Sequence, residues 1–221
     1  TDAAAATGWG VIVPGGEPVP ALAVAAGVRG LIFDCDGTLV DTLPLHYVAW
    51  RETFAELGWT CPLEFLMRHN GKPTDQIVAL YNAEFGRSID VGKFTADKER
   101  RTHALLDRAR PIEPVAALAR RYRDRLPLAV VSGSNRPNVE LALRAAGLAA
   151  LFAVVLTADD GLPPKPDPGL FLEAAHRMGV EPGACQVFED ADSGLEAARR
   201  AGMLATDVRL FGGGYREEMV G

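Results

Sequence analysis

Leu31-Ile32-Phe33-Asp34-Cys35-Asp36-Gly37-Thr38-Leu39-Val40-Asp41-Thr42 is the stretch that decides the fold. Leu31 to Phe33 is a short apolar run that reads as a buried strand, and it delivers two carboxylates, Asp34 and Asp36, where Gly37 lets the backbone turn away. Side chains on an extended segment alternate, so positions 34 and 36 face the same side. One carboxylate there can attack phosphorus while the other moves a proton, the pattern of phosphoryl transfer through an aspartyl intermediate. Attack on a phosphate dianion meets like charge, so the pattern asks for a divalent cation with oxygen ligands, Mg²⁺, together with further acids and a cationic side chain from elsewhere. The competing account is an Asp-rich turn whose side chains bond only nearby N–H groups.

The rest of the chain alternates strand-like and helix-like segments. Pro44 opens a helix that ends at Gly58, and helical segments follow at Pro62 to Arg68, Thr74 to Phe85 and Thr95 to Ala109, with no strand-like run between them. Pro114 to Tyr122 reads as a helix, Leu128 to Val131 as a buried strand running into Ser132-Gly133-Ser134, and Phe152 to Leu156 as the next strand. Beyond the proline-rich Pro163 to Pro168, a helix from Gly169 to Met178 precedes the strand Gln186 to Phe188, which ends in Glu189-Asp190. A helix from Leu195 to Ala201 and a strand from Met203 to Val208 complete the pattern, and Gly212-Gly213-Gly214 reads as a flexible tail. Such alternation argues for an α/β fold with an open, mostly parallel sheet and helices on both faces. Adjacent acids at a strand end, Glu189 and Asp190, are what a hard cation needs beside Asp34. Asp190 or Asp192 could instead cap a helix, as could Ser132.

Asp34-x-Asp36-Gly37-Thr38-Leu39-Val40-Asp41-Thr42 resembles the first signature of the haloacid dehalogenase superfamily, and Ser132, Lys165-Pro166 and Glu189-Asp190 resemble its other three. The similarity runs from about Gly30 to about Leu210 and is nearest the branch of β-phosphoglucomutase and small sugar-phosphate phosphatases; residues 188–192 and 207–210 are most like fructose-1-phosphate phosphatase-type members. The resemblance implies a Rossmann-like core at 29–43 and 111–221, and an inserted all-helical cap domain at 44–110. Asp34 is then the nucleophile and Asp36 the acid and base. Ser132, Gly133 and Ser134 hold phosphate oxygens, and Lys165 spans phosphate and nucleophile. Mg²⁺ is held by Asp34, Asp36, Glu189 and Asp190, with Asp36 offering its backbone carbonyl. In the helical insertion His46 and Lys98 fall where the branch places substrate-facing residues, and Arg51 and Asn70-Gly71-Lys72-Pro73-Thr74 are further candidates. The mutase branch carries an Arg in the cap and Ser-Lys-Asn after the second signature. Thr74-Asp75 and Ser134-Asn135-Arg136 stand here instead, which favours a phosphatase over a mutase unless Arg136 substitutes.

Composition sets outer bounds. A chain of 221 residues, 48% hydrophobic and 24% charged, fits one globular domain with an insertion. Net charge is −6 with no basic cluster, which argues against nucleic acid and anionic membrane and leaves a small phosphorylated metabolite as the partner of a default monomer. Cys35, Cys61 and Cys185 are scattered without paired spacing, as expected of a reduced, cytoplasmic protein. Residues 1–28, rich in Ala, Gly and Pro, lack the basic start and sustained apolar core of a signal peptide and read as a flexible extension. No apolar run approaches the roughly 20 residues of a membrane span.

Overall fold

A computed structural model describes residues 22–212 and residue 214. Strand β1 (Gly30–Phe33) is buried along its whole length, because it sits in the middle of a parallel sheet covered on both faces. It is followed by helices α1 (Leu43–Glu56), α2 (Leu63–Arg68), α3 (Thr74–Phe85), α4 (Val91–Leu105) and α5 (Glu113–Tyr122). Then come β2 (Leu128–Val131), α6 (Arg136–Ala145), β3 (Val154–Leu156), α7 (Gly169–Met178), β4 (Cys185–Glu189), α8 (Asp192–Arg200) and β5 (Leu204–Asp207). The described residues form a five-stranded sheet in the order β3-β2-β1-β4-β5, with every pairing parallel. The chain builds outward from β1 to β3 and then crosses back to β4. The crevice at the carboxyl ends of β1 and β4 is therefore the switch point at which ligands bind in such sheets.

Strand alternation sorts the core. Leu31 and Phe33 point to the face covered by α5 and α6, where they meet Val115, Ala119, Val139 and Leu143. Ile32 points to the opposite face and packs with Phe171 and Ala174 of α7 and with Ala197 and Ala198 of α8. A separate aromatic cluster of Trp50, Phe54, Phe65, Tyr81 and Phe94 holds α1 to α4 together. The two strands of chain that lead into and out of this helical layer pair with each other, Asp41 N–H donating to the Arg110 carbonyl at 2.8 Å and Ile112 N–H to that of Leu39 at 2.9 Å. Among the described residues no helix is long and apolar enough to cross a membrane.

Several boundaries differ from the sequence expectation for local reasons. Helix α4 begins at Val91 rather than Thr95, because the Asp90 carboxylate accepts the Lys93 N–H at 2.9 Å and caps the helix there. Residues 22–28, expected within a flexible extension, are docked: Leu22, Val24 and Val28 pack on the core, and Gln186 ties down the Ala23 carbonyl and the Ala25 N–H. Residues 1–21 of that extension lie outside the described residues. Gly214, expected in a loose tail, donates its N–H to the Gly37 carbonyl at 3.0 Å. All three cysteines are free thiols.

Phe33 is fully buried and stacks on Phe188 with ring centroids 4.9 Å apart, joining β1 to β4 directly beneath the loops that follow them. Phe33→Ala is expected to lower the unfolding free energy by about 3–5 kcal/mol in urea denaturation. A loss below about 1 kcal/mol would mean that the centre of the sheet closes over the gap.

Candidate active site

Asp34 follows the last residue of β1, and its backbone N–H continues the ladder by donating to the Phe188 carbonyl, so the strand itself aims the side chain. Lys165, delivered by the proline-rich loop before α7, places its ammonium 2.7 Å from Asp34 Oδ1 and 2.5 Å from Glu189 Oε1, and also donates to the Val131 carbonyl at 3.1 Å. Glu189 closes β4 and folds back over the start of α8, where Oε2 accepts the Ala191 N–H. A Cβ at Gly194 would stand 1.8 Å from Glu189 Oε1, so only glycine lets the carboxylate lie there. Asp190 completes the group, accepting from Thr38 Oγ1 at 3.0 Å and from Asn70 Nδ2 at 2.8 Å.

Charge does not balance in this space. Burial works to strip the Lys165 proton, but Asp34 and Glu189 overcome it and hold the ammonium above its ordinary value. Burial likewise raises Asp34 well above the ordinary carboxylate value despite Lys165, and together with Glu189 it pushes Asp190 up to about 7. One oxygen from each of Asp34, Glu189 and Asp190 lies within 4.8 Å of the others. Buried oxygen donors with surplus negative charge fit a hard divalent cation.

Asp36 belongs to a different network. Its Oδ1 accepts from Thr42 Oγ1 at 2.6 Å, and its Oδ2 from Ser134 Oγ at 2.7 Å and Ser132 Oγ at 3.2 Å. His46 Nε2 stands 3.3 Å from Oδ1, an electrostatic contact more than an aligned hydrogen bond. Burial acts to raise the Asp36 carboxyl, yet His46, Thr42 and Ser134 hold it well below the usual range. On its far side His46 Nδ1 is 2.9 Å from Lys98 Nζ. An ammonium can only donate, so Nδ1 accepts and the ring proton sits on Nε2, facing Asp36. Lys98 in turn donates to Glu99 Oε1 at 2.9 Å.

Asp34, Asp36, His46, Lys98, Gly133, Ser134, Glu189 and Asp190 line one cavity of about 210 Å³, roofed by Trp50, Leu66 and Ile77 of the helical layer. The structure gathers most of the expected site residues there and rearranges others. The Asp36 carboxylate is not one of the three clustered oxygens, since it accepts from Thr42, Ser132 and Ser134; the part expected of Asp36 toward a cation is its backbone carbonyl, not this group. Ser132 is fully buried, its hydroxyl shared between Asp36 and the Ser134 N–H, so Gly133 and Ser134 present the loop to the cavity. Helix α6 is capped by Asn135, not by Ser132. Arg51 is exposed and does not line the cavity, whereas residues 70–74 do. Asp192 is exposed and pairs with Arg209.

Glu99 went unread in the sequence, lost in the charge run from Asp97 to Arg101. It is the clasp between helical layer and core: Oε1 accepts from Thr74 and Lys98, and Oε2 from Asn135 at 3.0 Å and Asn138 at 2.7 Å. Burial opposes its ionisation, but Lys98, His46 and Thr74 hold the carboxyl below its ordinary value.

The haloacid dehalogenase-like hydrolase family model matches residues 28–202. Fructose-1-phosphate phosphatase YqaB of Escherichia coli (strain K12) is 40% identical over 183 residues, covering 82% of this chain and 97% of that protein. Validoxylamine A 7'-phosphate phosphatase of Streptomyces hygroscopicus subsp. limoneus is 33% identical over 183 residues, covering 80% and 84%. Among solved structures, CbbY from Rhodobacter sphaeroides in complex with phosphate is similar with a TM-score of 0.71 at 27% identity, over 80% of this chain and 84% of that one.

Two outcomes test the electrostatics. Lys165→Met leaves Asp34 and Glu189 buried without a counter-charge and is expected to cost about 3–5 kcal/mol of stability at neutral pH, read by urea denaturation. Glu99→Gln is expected to lower the melting temperature near neutral pH. Because the native Glu99 carboxyl lies below its ordinary 4.5, its contribution is complete above that value and is lost as pH falls through the depressed one. The gap from wild type should therefore close on acidification. A gap that widened in acid would reverse the assignment.

Proposed function

The chain belongs to the haloacid dehalogenase-like hydrolase family, and from that premise we propose that it is a Mg²⁺-dependent phosphatase of a small sugar phosphate, working through phosphorylated Asp34. One observation carries the reading: Asp34 and Asp36 line the same cavity in opposite electrostatic settings, one on the Lys165 ammonium beside two further acids, the other on hydroxyls and His46. Environments that push two carboxyls apart divide the labour between them. The two relatives named above are phosphatases by name, and fructose 1-phosphate is by name the substrate of the Escherichia coli protein.

Asp34 Oδ1 is engaged by Lys165, and among the described residues no donor is bonded to Oδ2, which leaves that oxygen to attack phosphorus. The O–P bond to Asp34 forms as the bond to the leaving oxygen breaks, and Lys165 offsets charge next to the nucleophile. Asp36 delivers a proton to the leaving oxygen and then takes one from the water that hydrolyses the aspartyl phosphate. In the conformation described, Asp36 is held ionised, the form suited to the second of these tasks. Serving as the acid requires it to turn from Thr42 and His46 and pick up a proton. Bound through Asp34, Glu189 and Asp190, Mg²⁺ would supply positive charge against the phosphoryl oxygens.

The layer α1 to α4, which begins at Leu43, one residue before the expected 44–110, acts in this reading as a cap that excludes water from the cavity. A mutase must also grip a second phosphate. Arg136 is turned to Asp160 and the Val155 carbonyl, and Thr74 is spent on Glu99, so neither is offered to one. The partner is thus a small phosphorylated metabolite, not nucleic acid or membrane, met by a monomer in the cytoplasm, consistent with the net charge of −6 and three free thiols.

Phosphate release from a panel of sugar phosphates, fructose 1-phosphate first, is expected with Mg²⁺ and is expected to vanish with EDTA. Asp34→Asn is expected to lower turnover by a factor on the order of 10⁴ or more. Undiminished release by that variant, or isomerisation of β-glucose 1-phosphate with a bisphosphate primer, would overturn the reading.

A further inference from the structure

The loop between α2 and α3 reaches down from the helical layer and ends on a cation-facing acid. Asn70 Nδ2 donates to Asp190 Oδ2 at 2.8 Å, and the Asn70 carbonyl accepts from Ser193 Oγ at 3.2 Å. The amide cannot be turned round. Its Oδ1 accepts the Gly71 N–H at 3.0 Å, so only the amino group can face the carboxylate. The next residue fixes the depth of the loop. Gly71 has φ +81°, and a Cβ there would stand 2.9 Å from Ala191 Cβ and 2.8 Å from Ser193 Oγ, while the Gly71 carbonyl would lie 2.8 Å from a Cβ on Gly133. Asn70 and Gly71 are thus wedged between the Ser132 to Ser134 loop and the Asp190 to Ser193 loop.

Among the described residues, Asp190 is otherwise oriented only by Thr38, which donates to Oδ1. One donor leaves a carboxylate free to rotate; two, one on each oxygen, fix its plane. Each oxygen keeps a second lone pair for a cation. Donors that orient a ligand from behind are worth about 10–100-fold in metal affinity.

We propose that Asn70 is a positioning residue through which the helical layer sets the affinity of the Asp34, Glu189 and Asp190 group for a divalent cation. The proposal rests on the metal reading above and goes beyond it. The layer is not only a roof: when its loop is seated the cation site is complete, and when the loop lifts, Asp190 loses one of its two orienting donors. Linkage makes the effect mutual, so cation binding must hold the loop down by the same factor.

Calorimetric titration of the full chain with Mg²⁺, without substrate, tests it. Asn70→Ala is expected to weaken binding by about tenfold or more. Ser193→Ala removes the other strut on the same loop without touching Asp190, and is expected to stay within about twofold of wild type. Equal losses in both variants, or an unchanged Asn70→Ala, would overturn the proposal, since the first describes a loose loop and the second an idle amide. In wild type, saturating Mg²⁺ is expected to slow hydrogen exchange at the Gly71 and Lys72 amides. Unchanged exchange there refutes the coupling even if Asn70→Ala does not fold. Failure of wild type to bind Mg²⁺ would remove the metal reading along with this one, whereas a binding wild type with an equally tight Asn70→Ala removes this one alone.

Discussion

The carboxylates of Asp34, Asp36, Glu189 and Asp190 and the ammonium of Lys165 meet at the carboxyl end of the sheet, all but Asp36 buried, and the rest of the molecule accommodates that imbalance. Burying Lys165 alone would be ruinous, and burying Asp34 and Glu189 without it equally so. Together they still carry one carboxylate more than the ammonium can offset, and Asp190 adds another carboxyl, pushed up to about 7. The residual charge is a cost to the metal-free fold and an attraction for a cation. The same feature that makes the site expensive makes it selective for what neutralises it.

Such a cluster demands a rigid support, and the sheet supplies it. Asp34 and Glu189 extend two neighbouring, fully buried strands whose register pairs Phe33 with Phe188, so their separation is set by backbone hydrogen bonds rather than by side-chain packing. Lys165 has no strand of its own and reaches the group from a loop, where the Val131 carbonyl at the end of β2 gives it a third fixed partner. Three consecutive places in the sheet, β2, β1 and β4, thus define the position of one ammonium.

Much of this was legible in the chain, and the reason is local. Leu31 to Phe33, Leu128 to Val131 and Val187-Phe188 are apolar runs too short for helices, each followed by polar residues, so strands and candidate groups were found together. What could not be read was partnership. Alternation placed Asp36 on the same side as Asp34, and both line one cavity, but it could not show that the turn at Gly37 brings Thr42 and His46 within reach of the Asp36 carboxylate. Glu99 looked like one charge among five on a solvated face, because nothing local says that Asn135 and Asn138 lie opposite. Partnerships across 36 and 39 positions leave no periodic trace. The docking of residues 22–28 was missed for the same cause, since its anchor is Gln186, a polar residue inside a buried strand.

Among the polar joints between helical layer and core, three, at Glu99, His46 and Asn70, differ in what they touch. Glu99 bonds to side chains at the start of α6 and governs only whether the layer is down. His46, held by Lys98, faces Asp36 and so couples the layer's position to that carboxylate. Asn70 reports it to Asp190. All three donors or acceptors belong to α1, α4 and the α2–α3 loop, which share one aromatic cluster and therefore move together. A layer with its own packed core cannot relax one joint while keeping the others, because its interior is too dense to deform continuously. In the proposed reading, seating it over a substrate accordingly sets the Asp36 and Asp190 carboxyls in a single event, and an ill-fitting substrate that props the layer open disturbs both at once.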